Sequence, residues 1–423
     1  MSVAPLPHVI PTLSQGAAGL QLEQVALSDI AAQFGSPTYV YSRAALTAAW
    51  HNWVSALEGR NALVCYAVKA NSNLAVLNVF ARLGAGFDIV SGGELARVLA
   101  AGGRADRVVF SGVGKSRAEM AQALRAGIHC FNLESAPELD RLEAVAAELG
   151  LQAAIAFRVN PAVDPKTHPY ISTGLRDNKF GVAFEDALAL YRKAAASKHL
   201  RISGIACHIG SQLLDPAPMA EAAAKVRGLV EQLEREGIHL DHIDLGGGLG
   251  IRYSDEVPPT GRDYLAPLLA AMAGRPEQLC FEPGRSLVGN AGLLLTRVEF
   301  LKPGATKNFA IVDAAMNDLA RPALYDAYHE MLAVQPRDTP PVSYEIVGPI
   351  CESGDFLGHE RALSLAEGDL IAILSAGAYG MTMSSNYNTR GRCAEVMVDG
   401  DQLHLIRPRE SIDSLFATER VLP

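Results

Sequence analysis

Much is scarce in this sequence, and each scarcity removes a class of protein. No apolar run reaches the ~18 residues that a membrane-spanning helix needs, so no span is expected. Met1 to Gln15 lacks a basic segment followed by an apolar core, which argues against a secretory leader. There is no block of Lys and Arg, aromatics make up 6% of residues, and the formal net charge is −9. Nucleic acid is therefore not the expected partner. Six cysteines are scattered without a Cys-x-x-Cys pair, so no zinc site is expected. Cys65, Cys130, Cys207 and Cys280 sit inside apolar, strand-like runs and read as buried, reduced thiols, which fits a cytoplasmic compartment. Internal repeats and low-complexity tracts are missing as well.

What is present is a chain of 423 residues, 49% hydrophobic and 20% charged, enough for one barrel and a smaller domain. From about Ala45 to Arg285 a strand-then-helix alternation repeats eight times. The expected strands are Leu63–Lys69, Gly86–Val90, Arg107–Ser111, Ile128–Leu133, Ala153–Asn160, Ile202–Ile209, Leu240–Leu245 and Gln278–Glu282. Helix-like segments rich in Ala, Leu, Arg and Glu separate them, such as Gly93–Ala101, Ser116–Ala126, Ala136–Glu148 and Ala217–Glu236. Eight such units in about 240 residues predict an α/β fold, a (β/α)₈ TIM-like barrel. A doubly wound open sheet is the competing arrangement.

Past about Asn290 the texture changes to strand-like runs joined by turns: Leu293–Phe300, Phe309–Asp313, Ser343–Val347, Leu370–Leu374, Ala394–Val398 and Leu403–Ile406. Asp399-Gly400 is a hairpin signal. This half predicts a C-terminal antiparallel β domain, which the strand-like Thr38–Tyr41 can join. The expected domains are a barrel over 44–289 and a discontinuous β domain of 1–43 with 290–423. Leu27–Phe34 reads as a short helix.

A barrel keeps its chemistry at the C-terminal ends of its strands. Those ends carry Lys69, Asp88, Ser111, Asn132 to Glu134, Arg158, His208 to Gln212, Gly246 to Gly248, and Glu282 to Arg285. Singly, each has an ordinary explanation: a surface lysine, an Asp helix cap, a core histidine, a glycine turn. Jointly they have a chemical logic. A lysine partly removed from water forms a Schiff base with an aldehyde. Glycine N–H groups and a following helix start favour a phosphate. An acidic partner keeps a pyridine nitrogen protonated. Pyridoxal 5'-phosphate (PLP) meets all three conditions, with Lys69 on the aldehyde, Glu282 on the ring nitrogen and His208 against the ring.

Longer stretches then become telling: Tyr66-Ala-Val-Lys-Ala-Asn71, Phe87-Asp-Ile-Val-Ser-Gly-Gly-Glu-Leu95, His168-Pro-Tyr-Ile-Ser-Thr-Gly174 with Asn178-Lys-Phe-Gly181, His208-Ile-Gly-Ser-Gln212, Glu282-Pro-Gly-Arg285, Met316-Asn-Asp-Leu-Ala-Arg-Pro-Ala-Leu-Tyr325, Cys351-Glu-Ser-Gly-Asp355 and Gly377-Ala-Tyr-Gly380. Together they resemble the diaminopimelate decarboxylases, within the fold type of alanine racemase and eukaryotic ornithine decarboxylase. The resemblance runs from about residue 38 to 390. Its most specific stretch is Met316–Tyr325, where Ala320 stands in place of a larger apolar residue.

The resemblance implies roles by position. Lys69 would hold PLP, with His208 on the ring and Glu282 on the pyridine nitrogen. Ser211, Gly247, Gly248, Gly284 and Arg285 would hold the phosphate, while Asp88 and Tyr379 would complete the cofactor's surroundings. Arg285, Arg321, Tyr325 and Tyr379 would bind substrate, the arginines and Tyr325 at its distal carboxylate, and Glu352 at its distal ammonium. Cys351 and Glu352 would reach in from the second subunit of a homodimer, with Cys351 or Lys69 reprotonating Cα. The implied reaction is decarboxylation of meso-2,6-diaminopimelate to L-lysine, the last step of lysine biosynthesis. Alternatives are a related basic amino-acid decarboxylase, a racemase on the same scaffold, and a binding protein that has lost its chemistry. Glu282 argues against the racemase, whose ring nitrogen usually faces an arginine. Lys69 and Cys351 argue against the binding protein.

Overall fold

The computed structural model describes residues 9–164 and 179–423. The stretch His168–Gly174 and Asn178 lie outside the described residues. The chain divides into two compact units: Met1–Ala48, Arg252–Glu256 and Leu287–Pro423 form one, and Ala49–Ile251 with Val257–Ser286 the other.

The second unit is the barrel. Its strands, Ala62–Ala67, Gly86–Ile89, Val108–Phe110, Cys130–Leu133, Ala153–Asn160, Leu200–Ala206, His242–Asp244 and Gln278–Phe281, pair in parallel in chain order. The eighth returns to the first through Leu279–Ala62, Cys280–Leu63 and Phe281–Val64. A doubly wound sheet would leave two open edges; here closure leaves none. Several observed strands stop short of the expected ends. The first ends at Ala67, and Val68–Ala70 forms a 3₁₀ turn that carries Lys69.

Serine caps start the surrounding helices. Ser91, Ser116 and Ser135 each accept the N–H of a glutamate three residues on, and at Ser116 the Glu119 side chain returns the bond. These satisfy backbone donors that a helix start leaves orphaned. Asp88 is not a cap, because Ser91 has that role. The long helix Ala217–Arg235 turns Met219, Ala222, Val226, Leu229 and Leu233 inward, at the three-and-four spacing of one helical face.

The other unit is built on one large sheet. Thr38–Ser42 pairs antiparallel with Gly292–Lys302 and in parallel with Ala394–Asp399. Asn308–Val312 and Val342–Val347 are a second parallel pair. The unit is thus mostly antiparallel with two parallel joints, one of them made because Thr38–Ser42 is inserted from far away in the chain rather than by a hairpin. Both faces are covered: Val40, Leu293, Leu295 and Val396 enter one apolar cluster, and Tyr39, Tyr41 and Leu294 the other. The expected hairpin forms, with Asp399 opposite Gln402 and Gly400 at φ 64°. A three-stranded sheet of Leu13–Gly16, Gly19–Leu22 and Val25–Ala26 precedes the expected helix Leu27–Phe34.

The barrel unit also buries an ion pair. Lys115 Nζ donates to Glu138 Oε1 at 2.6 Å, to Gly112 O at 2.8 Å and to Asn132 O at 2.7 Å. All three ammonium donors are used, and the other Glu138 oxygen accepts the N–H of Glu134 at 2.7 Å. Lys115→Met is therefore expected to lower stability by about 3–5 kcal/mol, the cost of leaving one buried charge alone. Lys115→Met/Glu138→Leu should lose less. Urea unfolding of the three proteins measures this, and a single variant as stable as wild type would contradict it.

Candidate active site

Turns at the C-terminal ends of the barrel strands bring the expected groups to one mouth. Lys69 Nζ lies 2.6 Å from Asp88 Oδ2, with the lysine side chain 39% exposed and the aspartate fully covered. The turn after the first strand thus presents its amine to open space while a buried charge anchors it. Gly284 packs behind, where an added Cβ would come 3.1 Å from Ala67 Cβ and 3.2 Å from Ala70 Cβ.

His208 follows the sixth strand and accepts the N–H of Gly247 on Nδ1 at 3.3 Å. Burial holds its pKa well below the ordinary histidine value, and Arg158 and Lys69 add to the effect. The ring is neutral at physiological pH, so it offers a flat face without adding charge. Arg158 ties this wall together, reaching His208 O at 3.4 Å and Glu134 Oε1 at 3.4 Å. Glu134 in turn accepts the N–H of Gly112 and of Gly181, each at 2.9 Å.

Gly246, Gly247 and Gly248 line the floor. A Cβ on Gly247 would lie 2.2 Å from Glu282 O, and one on Gly248 2.7 Å from Leu213 Cδ1. Gly248 also sits at φ 110°, where other residues are strained. Tyr264 steadies the loop by donating to Gly247 O at 2.9 Å. Arg285 is buried, and its guanidinium donates to Ser211 Oγ at 3.2 and 3.3 Å. The helix start expected to follow the glycines does not form there, because the chain runs on without helix to Gly261–Ala271. A phosphate at this place would rely on glycine N–H groups, Ser211 and Arg285.

Glu282 stands at the end of the eighth strand. Burial raises its pKa well above the carboxylate range, helped by Asp244 and Asp88 and opposed by Lys69. Its Oε1 is shut off from water and meets no donor among the described residues. PLP fits this set. A ring N–H would supply a donor to Glu282, the glycines leave room for a phosphate, and Lys69 offers an amine to an aldehyde.

In the other unit, Arg321 is buried and donates to Tyr253 Oη at 2.6 Å, its guanidinium 4.8 Å from the centre of that ring. His329 meets the same ring edge-on at 5.4 Å. Tyr325 is half-buried on the same short helix, Arg321–Tyr325. Cys351 and Glu352 are exposed on a loop that Asp355 fastens: its carboxylate accepts the N–H of Met316 at 2.7 Å and of Ile350 at 2.8 Å. One buried side chain thus joins the Met316–Tyr325 stretch to the cysteine loop. Tyr379 is half-buried at φ 56°, a backbone state uncommon outside glycine.

The structure adds residues that the sequence reading passed over. Asp244 is the last residue of the seventh strand, and nothing in the run Leu240-Asp-His-Ile-Asp-Leu245 singles it out. Tyr253 gave no hint, since a tyrosine in a polar loop has no distinctive pattern. Among the described residues no cluster of His, Cys, Asp and Glu could hold a metal ion, and no helix is long and apolar enough to cross a membrane.

Comparison with known proteins follows the same lines. The family described as pyridoxal-dependent decarboxylase, pyridoxal binding domain, matches residues 43–289. A diaminopimelate decarboxylase of Pseudomonas aeruginosa is 60% identical over 412 residues, covering 97% of this chain and 99% of its own. One from Vibrio cholerae is 57% identical over 405 residues, covering 96% and 97%. The crystal structure of diaminopimelate decarboxylase from Helicobacter pylori complexed with L-lysine superposes with a TM-score of 0.90 at 42% identity, over 93% of this chain and 98% of that one. With a match across the barrel and relatives spanning nearly the whole length, this chain belongs to the diaminopimelate decarboxylase family of pyridoxal-dependent decarboxylases.

Proposed function

We propose that the protein decarboxylates meso-2,6-diaminopimelate to L-lysine and CO₂. The observation that carries this reading is a pair of acid–base placements: a carboxylate, Glu282, at the barrel mouth, and a buried, oriented guanidinium, Arg321, in the β unit. When bound, PLP supplies a protonated ring that takes up the electron pair left by departing CO₂. Glu282 holds the ring nitrogen in that protonated state. A racemase needs the opposite, a cation there that weakens the sink. Ornithine and lysine decarboxylation give Arg321 no distal carboxylate to bind.

The remaining residues bind and orient. Lys69 Nζ would hold the cofactor aldehyde, and Asp88 aims that amine. His208 covers one ring face as a neutral imidazole. Ser211, Gly247, Gly248, Gly284 and Arg285 hold the phosphate. Arg321 and Tyr325, with Arg285, grip the distal carboxylate, and Glu352 binds the distal ammonium. Tyr379 touches both cofactor and substrate. Cys351 Sγ or Lys69 Nζ delivers the proton to Cα.

The exposure of Cys351 and Glu352 on one chain supports a further part of the reading. Both are reactive or charged groups in a fastened loop, and both serve a neighbouring copy in a homodimer. Each site then takes Lys69 from one protomer and Cys351 from its partner.

Three outcomes are expected. Lys69→Ala abolishes lysine formation and the covalent cofactor bond that borohydride reduction traps at residue 69. A turnover-competent variant still carrying a trapped lysine–cofactor bond would show the assignment to be mistaken. Arg321→Ala raises KM for diaminopimelate and lowers kcat/KM by about 10- to 150-fold, the worth of a hydrogen bond to a charged group at about 1.5–3 kcal/mol. Cofactor affinity should change much less, and a KM within about twofold of wild type, ~0.4 kcal/mol, would put the carboxylate grip elsewhere. Lys69→Ala and Cys351→Ala homodimers are each severely impaired, but mixing them after reversible dissociation restores about a quarter of wild-type activity. Half the dimers are then mixed, each with one intact site of two. No recovery despite subunit exchange verified by mass would place Cys351 in its own protomer's site or outside the chemistry.

A further inference from the structure

The top of the barrel buries one more carboxyl group than the proposed chemistry uses. Asp244 closes the seventh strand with no exposure, and its Oδ1 accepts the N–H of Gly246 at 2.8 Å. Its Oδ2 meets no donor among the described residues, and neither does Oε1 of Glu282. Asp244 pairs with Cys280 across the adjacent seventh and eighth strands, and the N–H of Glu282 donates to Gly246 O at 2.8 Å, so the two carboxyl groups are set side by side on one face. Ionised carboxylates only accept, so a hydrogen bond between them requires a proton. Like charges in one dry site cannot both persist without compensation.

The neighbours supply little compensation. Asp88 adds a third carboxyl group against both, and Lys69 is the cation acting on Glu282. The thiols of Cys65, Cys130, Cys207 and Cys280, from the first, fourth, sixth and eighth strands, are pushed upward by burial first and by Asp244 as well, so they stay neutral. One ammonium thus faces three carboxyl groups.

We propose that Asp244 is a positioning residue that shares a single proton with Glu282, so that the pair presents one negative charge to the cofactor's ring nitrogen. The inference rests on the reading that Glu282 partners that nitrogen. One negative charge matches one protonated ring. Two would leave an uncompensated buried anion, and none would release the ring proton. Asp244 also fixes Glu282 in place, being itself tied to the glycine loop through Gly246. The pKa values follow this arrangement: burial pushes Asp244 up to about 6, and Glu282 lies raised beside it. Such values belong to the pair rather than to either residue.

The test is infrared spectroscopy of the holoenzyme at neutral pH, as difference spectra of wild type against Asp244→Asn and against Glu282→Gln. Each substitution replaces one acid by an amide that can donate to the other, so the remaining carboxyl group ionises. The expected result is a protonated-carboxyl band in wild type that disappears in both variants. A band that survives in either variant, or is missing in wild type, overturns the shared proton. Kinetics give a second arm: Asp244→Ala should lower kcat by about tenfold, ~1.4 kcal/mol, and Asp244→Asn should recover most of that loss. Equal losses in the two variants would mean that a donor at position 244 does not serve Glu282, and would overturn the shared proton. The parent reading fails separately: a cofactor absorbance spectrum unchanged across pH in Glu282→Gln would remove Glu282 from the ring nitrogen, whatever the carboxyl band does.

Discussion

Desolvation at the mouth of the barrel governs the rest of the site. Eight short strands, covered outside by helices and filled inside largely by apolar side chains and thiols, bury the groups beneath the strand ends. A charge placed there must be neutralised locally or not exist. Each polar feature of the mouth answers that demand. Lys69 is set against Asp88, Arg158 against Glu134, and Lys115 against Glu138. His208 gives up its proton, and Glu282 is raised with Asp244 beside it. The same dryness gives a cofactor's charges their leverage, because each interaction is stronger where solvent does not screen it.

Much of this was legible in the sequence because a parallel barrel places its chemistry by a rule of position. An apolar run marks a strand, and the polar residue that ends it marks the mouth. Lys69, Asp88, His208 and Glu282 stand out for that reason, and the structure joins them through the Lys69–Asp88 pair and the charges they exert on one another. Asp244 did not stand out, since the expected strand ran one residue further, to Leu245, and hid this strand-ending carboxylate. Only the partner beside it at the end of the neighbouring eighth strand, Glu282, gives it meaning, and that partner is 38 residues away. Glycine roles were partly legible: the Gly246–Gly248 run was visible, but the clash of a Gly247 Cβ with Glu282 O appears only in three dimensions.

The β unit was harder to read because its order is not local. Thr38–Ser42 is completely buried in the middle of a sheet whose other strands lie beyond residue 290. Its burial on both faces removes the alternation that usually identifies a strand in an antiparallel sheet. The parallel joint to Ala394–Asp399 follows from this long-range insertion. Phe356–Leu363 escaped notice for a different reason: Gly358, His359, Glu360 and Arg361 interrupt it with polar residues, and it is paired on one side to Val342–Val347. Its exposed face needs no apolar pattern.

The distal residues of the β unit depend on a different kind of support from those of the barrel. At the barrel mouth the strands themselves aim the side chains. In the β unit the candidates lie on loops and one five-residue helix, which have little rigidity of their own. Buried acids supply it. Asp355 fastens the backbone at Met316 and Ile350, and Asp318 accepts the N–H of Ala315 at 3.0 Å while Tyr39 donates to its carbonyl at 2.8 Å. Burial raises the pKa of Asp355 and pushes that of Asp318 up to about 6. Arg321 is held from outside its helix by the Tyr253 hydroxyl and ring, and Tyr253 by His329. A guanidinium fixed before substrate arrives loses little freedom on binding, so more of its attraction for a carboxylate remains as affinity. These acids and aromatics thus hold Arg321 and the cysteine loop in place without any rigidity from a strand.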